Sequence, residues 1–320
     1  MIIRDGNSVQ PGDERTDHAD TKRSGIMNMS GSKKIGMIGG DRRLRTVADG
    51  LGKEYECAVW GISDVPECAV RCTSWQSAVK GADAVILPLP VSRDGKNLNT
   101  DADEIDIYDI AEKIRPGVLV CGGMIPPVMK ACLAERRAEI FDYYDSETVQ
   151  IKNAVPTAEG AVAAIIGSMP VTVFGMKVVL TGYGRCARTL AARLLSFGAT
   201  VYVAARRDEA LAWAGVDGCV PIPLYEYLDV PVESDIIVNT VPIKIFEEKT
   251  LSQLEEKCVY FELAGGEGGI DRAAAEKYGI KIVPLPSLPG KTSPETAGNI
   301  ICSEIKRKFA GYFGRGETDE

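Results

Sequence analysis

The chain has 320 residues, an apolar fraction of 45% and a formal net charge of −8, long enough for two domains with their own cores. The acidic balance argues against non-specific binding to nucleic acid or to an anionic membrane, both of which need a basic field. No apolar run reaches the length of a spanning helix, and the polar start Met1-Ile-Ile-Arg-Asp-Gly-Asn has no signal-peptide core, so a cytoplasmic protein is expected.

Residues 1–32 are rich in Asp, Arg, Ser, Gly and Thr without apolar periodicity and read as a disordered N-terminal extension, with translation expected to begin at Met27 or Met29. The folded chain starts at Lys33. A buried strand at residues 34–39 runs into the turn Gly39-Gly40-Asp41 and a helix through Leu44, Val47 and Leu51. Strands recur at residues 57–60, 84–87, 118–121 and 139–141, with helical patterns at 75–79, 105–114 and 128–134 between them. Such alternation predicts a parallel sheet covered on both faces. Its first turn is Gly-Gly-Asp and not GxGxxG, so residues 33–152 are expected to form a Rossmann-like domain that carries substrate.

The run from Pro156 to Gly167 predicts a helix bridging two domains, with Pro156 near its first turn. The most informative stretch follows. A strand ending at Thr181 leads into Gly182-Tyr183-Gly184-Arg185-Cys186-Ala187, then a helix through Leu190, Leu194 and Leu195 that stops at Gly198, then a strand at residues 199–205. Gly182 permits a tight turn, Gly184 lets backbone approach a pyrophosphate, and Ala187 allows close helix packing. The helix N-terminus offers free N–H groups and a positive dipole end. Roughly 20 residues past the second glycine, where an acidic residue binds the ribose of NAD, the chain has Arg206 and Arg207. Guanidinium groups there suit a 2′-phosphate and favour NADP(H), although two arginines also suit a solvated strand end.

Residues 235–238 form a strand ending in Asn239-Thr240-Val241-Pro242, which can stand beside the nicotinamide ribose or simply stop at proline. Further strands are expected at residues 258–263 and 280–284. Residues 285–298 read as a rigid loop entering a helix, in which Lys291, Thr292 and Ser293 can meet a carboxylate or merely cap the connection. Gly40, Asp41 and Arg42 are the matching candidates in the first domain. The Gly265–Gly269 loop can close over a crevice or only make a turn. The expected architecture is α/β: two Rossmann-like parallel-sheet domains separated by a cleft, with bridging helices. NADP(H) binds residues 153–293, a helix at about 294–312 packs back on the first domain, and 313–320 form a tail.

His18, the one histidine, lies in the extension, so the folded domains have no histidine base. Tyr143, Tyr144 and Asp145 are acid or base candidates by type only, and no catalytic residue is identified. Nine cysteines, without a CxxC pair, suit reduced thiols, and Cys68 with Cys72 lacks the second ligand pair a metal site needs.

Taken together and in order, Ile35-Gly-Met-Ile-Gly-Gly-Asp41, Asn153-Ala-Val-Pro-Thr-Ala-Glu-Gly160, the Gly182 turn, Ala205-Arg206, Asn239-Thr-Val-Pro242 and Leu288-Pro-Gly-Lys-Thr-Ser-Pro-Glu-Thr-Ala-Gly298 resemble the family of dipicolinate synthase A chains, over residues 33 to 310. The resemblance implies NADP-linked oxidation of dihydrodipicolinate, or of its hydroxylated tetrahydro precursor, to dipicolinate during sporulation. It also implies the mother cell as location, the second, flavoprotein-like chain of dipicolinate synthase as partner, and a homo- or hetero-oligomer. The sequence departs from the family pattern where Gly265-Gly-Glu267-Gly-Gly stands in place of an Arg-Pro-Gly-Gly loop. A dehydrogenase of another small carboxylic acid, or a nucleotide-binding scaffold without turnover, fits the same residues.

Overall fold

The structure is a computed structural model that describes residues 32–314; the expected extension with Met27, Met29 and His18, and the end of the tail, lie outside the described residues. Two six-stranded, all-parallel sheets follow one another along the chain. The first comprises β1 (Lys34–Ile38), β2 (Glu56–Trp60), β3 (Ala69–Arg71), β4 (Ala84–Ile86), β5 (Leu119–Gly122) and β6 (Glu139–Asp142), in the order β3-β2-β1-β4-β5-β6. Its helices are α1 (Arg42–Leu51), α2 (Trp75–Val79), α3 (Ile107–Lys113) and α4 (Pro127–Glu135).

Helix α5 (Glu147–Ser168) crosses to the second sheet. That sheet has β7 (Lys177–Thr181), β8 (Thr200–Ala205), β9 (Val220–Pro223), β10 (Ile236–Asn239), β11 (Val259–Glu262) and β12 (Lys281–Pro284), in the order β12-β11-β10-β7-β8-β9. Between the strands run α6 (Arg185–Ser196), α7 (Asp208–Val216), α8 (Leu224–Asp229), α9 (Glu248–Leu251) and α10 (Arg272–Lys277), and after them come α11 (Leu288–Thr292) and α12 (Pro294–Phe313). Each sheet reverses its winding once, between β1 and β4 and between β7 and β10. In open parallel sheets that switch point, at the carboxyl ends of the strands, is where ligands bind.

The expected α/β architecture is present in both halves. Strands buried on both faces carry alternate side chains into two cores. Val178 and Leu180 of β7 pack with Ala161 and Ile165 of α5 and Leu190 and Leu194 of α6, whereas Val179 joins Ile237, Phe246 and Tyr260 on the other face. Helix α12 returns to the first sheet, where Ile301, Ile305 and Phe309 pack with Leu44, Val47 and Leu51 of α1. Phe309 also meets Tyr55 edge-on at 5.3 Å. Among the described residues no helix is long and apolar enough to cross a membrane.

Pro156 requires a correction. It lies well inside the 22-residue α5 and not near its first turn, because the polar residues from Glu147 onward already form helix. Proline supplies no N–H to the carbonyl one turn back. The next carbonyl, that of Asn153, gains a donor from the Thr157 hydroxyl at 2.7 Å. The stretch expected as a loop before α12 contains the short helix α11, and Ser293 takes the N-cap position of α12 without a side-chain capping bond.

Truncating Phe309, fully buried in the first core, removes much of what fastens α12 there. Phe309→Ala is expected to cost about 3–5 kcal/mol in urea unfolding; an unchanged midpoint would contradict this packing.

Candidate functional site

The switch point of the second sheet is built on the turn after β7. Gly182 has φ of +79°, which an L side chain rarely adopts, and a Cβ there would be 3.0 Å from the Thr240 hydroxyl. Its N–H donates to the Ala204 carbonyl at 2.8 Å, tying the turn to β8. Gly184 is the N-cap of α6 and has no protein atom within 4 Å of the space a side chain would fill. Arg188 N–H is the first to bond back, to the Gly184 carbonyl, so the N–H groups of Arg185, Cys186 and Ala187 have no partner within the helix.

A cavity of about 610 Å³ opens at this turn, within the range of small-molecule sites. Gly182, Tyr183, Gly184, Arg206, Arg207, Thr240, Val241 and Pro242 line it, with Ala205, Ala210 and Leu224 as apolar wall. Eight of the ten cofactor candidates thus come together. Arg206 and Arg207 are exposed, and neither forms an ion pair among the described residues. No carboxylate lines the cavity; Asp208 and Glu209 follow in the first turn of α7, outside the lining.

Three side chains of the fingerprint serve the scaffold. The Tyr183 hydroxyl donates to Asp217 at 2.9 Å, and burial together with that carboxylate pushes the phenol well above its usual range. Asp217 is also paired with Arg188, which stacks on Trp213 at 4.3 Å. Arg185 turns to Glu147 of α5 at 2.6 Å, and burial pushes the Cys186 thiol up. Arg185 and Cys186 lie outside the lining.

Beneath the cavity lies a buried polar network that the sequence does not announce. Asn239 accepts from the Thr181 hydroxyl at 2.6 Å and from Val241 N–H at 3.1 Å, and donates to the Val241 carbonyl and to Glu262. Glu262, 6% exposed, also accepts from the Tyr260 hydroxyl and from the N–H groups of Ala264 and Gly269. Both ends of the Gly265–Gly269 loop are therefore held by one carboxylate. A Cβ on Gly269 would fall 2.2 Å from Asn239 Nδ2, so the loop closes only on glycine. The sequence signal was a glutamate ending an otherwise apolar strand, Cys258-Val-Tyr-Phe-Glu.

The first sheet presents different chemistry. Asp41 is the N-cap of α1, accepting from Arg43 N–H at 3.0 Å, and is forked by the buried Arg43 guanidinium, which also donates to the Leu89 carbonyl. Burial raises the Asp41 carboxyl, but the hydrogen bonds and charge of Arg43 outweigh it and hold the group below its usual value. The N–H of Gly40 is taken by the Asn99 carbonyl.

Gly290 of α11 lies against the Asp41–Arg43 pair, so the structure joins two of the substrate candidate stretches. Thr292 spends its hydroxyl on the Leu288 carbonyl, and Lys291 is exposed without an ion pair among the described residues. Arg42 lies apart, in a cavity of about 350 Å³ with Arg45, Asp64 and Pro294. Tyr143 is fully buried and donates to the Leu87 carbonyl, a packing role, and Asp145 pairs with Lys130.

A family model for the N-terminal domain of the dipicolinate synthase A chain matches residues 34–144. The dipicolinate synthase A chain of Bacillus subtilis (strain 168) is 27% identical over 284 residues, 87% of this chain and 96% of that protein. Its crystal structure has a TM-score of 0.79, over 89% of this chain and 98% of that one. The corresponding dipicolinate synthase structure from Bacillus halodurans, 25% identical, also scores 0.79, over 87% and 98%. A transhydrogenase from Sinorhizobium meliloti, 16% identical with a TM-score of 0.61 over 82% and 87%, shares the fold.

Glu262→Gln replaces one carboxylate oxygen by an amide donor, which then faces either Asn239 and Ala264 or Tyr260 and Gly269. It is expected to lower stability by about 1–3 kcal/mol for each donor left unpaired, read as the urea midpoint. A variant as stable as the parent would show that the network does not hold the loop.

Proposed function

We propose that the chain is a member of the dipicolinate synthase A-chain family, whose N-terminal domain model matches residues 34–144 and whose Bacillus subtilis protein is similar along most of its length, and that it oxidises dihydrodipicolinate, or its hydroxylated tetrahydro precursor, to dipicolinate with NADP⁺. The observation that carries the cofactor choice is the pair Arg206 and Arg207, exposed and unpaired in a cavity without carboxylates. Residues 153–293 hold the dinucleotide and residues 33–152, with α12, carry substrate. The unpaired N–H groups at the start of α6 face the pyrophosphate, the space at Gly184 admits it, and the two guanidinium groups take the 2′-phosphate. Thr240, Val241 and Pro242 form the wall beside the nicotinamide ribose.

NADP⁺, when bound, supplies the hydride acceptor. Dihydrodipicolinate gives up one hydride and one proton and becomes aromatic; the hydroxylated precursor first loses water. Because aromatisation drives the proton loss, the reaction does not call for a histidine base, and there is no histidine among the described residues. The substrate is a dianion, and where the two substrate stretches meet at Asp41 and Gly290, the exposed Lys291 offers it a cation. By the same family reading the partner is the second, flavoprotein-like chain of the synthase, in the mother-cell cytoplasm of a sporulating bacterium.

Arg206→Ala/Arg207→Ala is expected to weaken NADPH binding roughly 10- to 100-fold, the loss of one or two charge-assisted hydrogen bonds, and to leave NADH binding unchanged. Equilibrium titration by nucleotide fluorescence reads both. A parent protein that binds NADH as tightly as NADPH would overturn the assignment of the arginines.

A further inference from the structure

The segment after β4, residues 87–106, folds back over the carboxyl end of β1. Gly40 N–H donates to the Asn99 carbonyl and Asn99 N–H to the Val91 carbonyl, while Leu98 packs over Gly39. This is the switch point of the first sheet, the counterpart of the Gly182 turn in the second. A cavity of about 370 Å³ lies there, lined by Arg93, Asn97, Asn99 and Thr100, with Asp94 and Asp101.

The acids at this site are mostly engaged. Asp94 accepts from the N–H groups of Asn97 and Lys96, from the Ser92 hydroxyl and from the Asn97 amide, which hold its carboxyl far below the usual range. Asp41, close enough to feel the charge of Arg93, is forked by Arg43. Asp101 makes no ion pair among the described residues. Arg93 has no carboxylate partner either. Its Nε donates to Asn99 Oδ1 at 2.9 Å, and Asn99 Nδ2 donates to the Pro90 carbonyl at 3.0 Å. One bond at Nε sets the plane of the exposed guanidinium and, among the described residues, leaves both Nη atoms without a protein acceptor. A planar fork in that state suits a carboxylate.

We propose that Arg93 binds one carboxylate of the cyclic dicarboxylate substrate through its two Nη groups, with Asn99 as its positioning residue. This rests on the dipicolinate reading above and adds the residue that recognises the acid. It differs from the sequence candidates in what is left free: the N–H of Gly40 is already bonded, Asp41 is paired with Arg43, Arg42 lies in a separate cavity, and the Thr292 hydroxyl is spent within α11.

The test is calorimetric titration of the full chain with dipicolinate and with picolinate, which lacks one carboxylate. The parent is expected to prefer dipicolinate. Arg93→Ala should lose dipicolinate affinity roughly 10- to 100-fold and with it the preference, at an unchanged melting temperature; Arg93→Lys and Asn99→Ala should lower the same preference less. A purely structural role for Arg93 would not alter the ratio of the two affinities. If Arg93→Ala fails to fold, the lysine variant reads that ratio. Dipicolinate bound by the Arg93 variants as tightly as by the parent overturns the proposal and spares the substrate reading. A parent that binds no dipicolinate overturns both.

Discussion

Burying a carboxylate is unfavourable by several kcal/mol unless hydrogen bonds replace its water, and Glu262 is buried with four donors upon it. Those donors come from β10, from β11 and from both ends of the Gly265–Gly269 loop. Through Asn239 the same network reaches Thr181, the residue before Gly182, and Val241 in the cavity wall. The turn, the wall and the loop are therefore one hydrogen-bonded unit. Disturbing the carboxylate disturbs all three, although Glu262 itself does not line the cavity.

The chain uses one topology twice and equips the two switch points oppositely. At α6 the N-cap is Gly184, which has no side chain, so the first-turn N–H groups stay available to an anion. At α1 the N-cap is Asp41, whose carboxylate accepts from Arg43 N–H and places negative charge where a phosphate would have to lie. The residues 87–106 then cover the end of β1. The two N-caps thus present opposite electrostatics, free N–H groups at α6 and a carboxylate at α1. Helices α5 and α12 carry the chain out to the second sheet and back to the first.

Much of this was legible in sequence because it is local. The Gly182 turn, the arginines after β8 and the apolar strands β7, β10 and β11 are contiguous patterns. Strand β9, Val-Pro-Ile-Pro, was hidden because its prolines are tolerated only at a sheet edge. Pro156 suggested a helix start because proline favours the first turn, yet here the helix runs through it. The positions Tyr183, Arg185 and Cys186 fall on the turn as expected, but their side chains answer to Asp217, Glu147 and burial, partners distant in sequence. Arg93 was invisible for a similar reason: its orientation depends on a long irregular segment folding back so that Asn99 meets its Nε.

The reaction itself is tested most directly by turnover. The purified chain, with and without the proposed second chain, would be given freshly generated dihydrodipicolinate precursor and either NADP⁺ or NAD⁺, with reduced nucleotide and dipicolinate measured together. Equal amounts of NADPH and dipicolinate, formed faster than with NAD⁺, are the expected result. NADP(H) binding without dipicolinate under any of these conditions would contradict the account and leave a nucleotide-binding protein with another substrate or none.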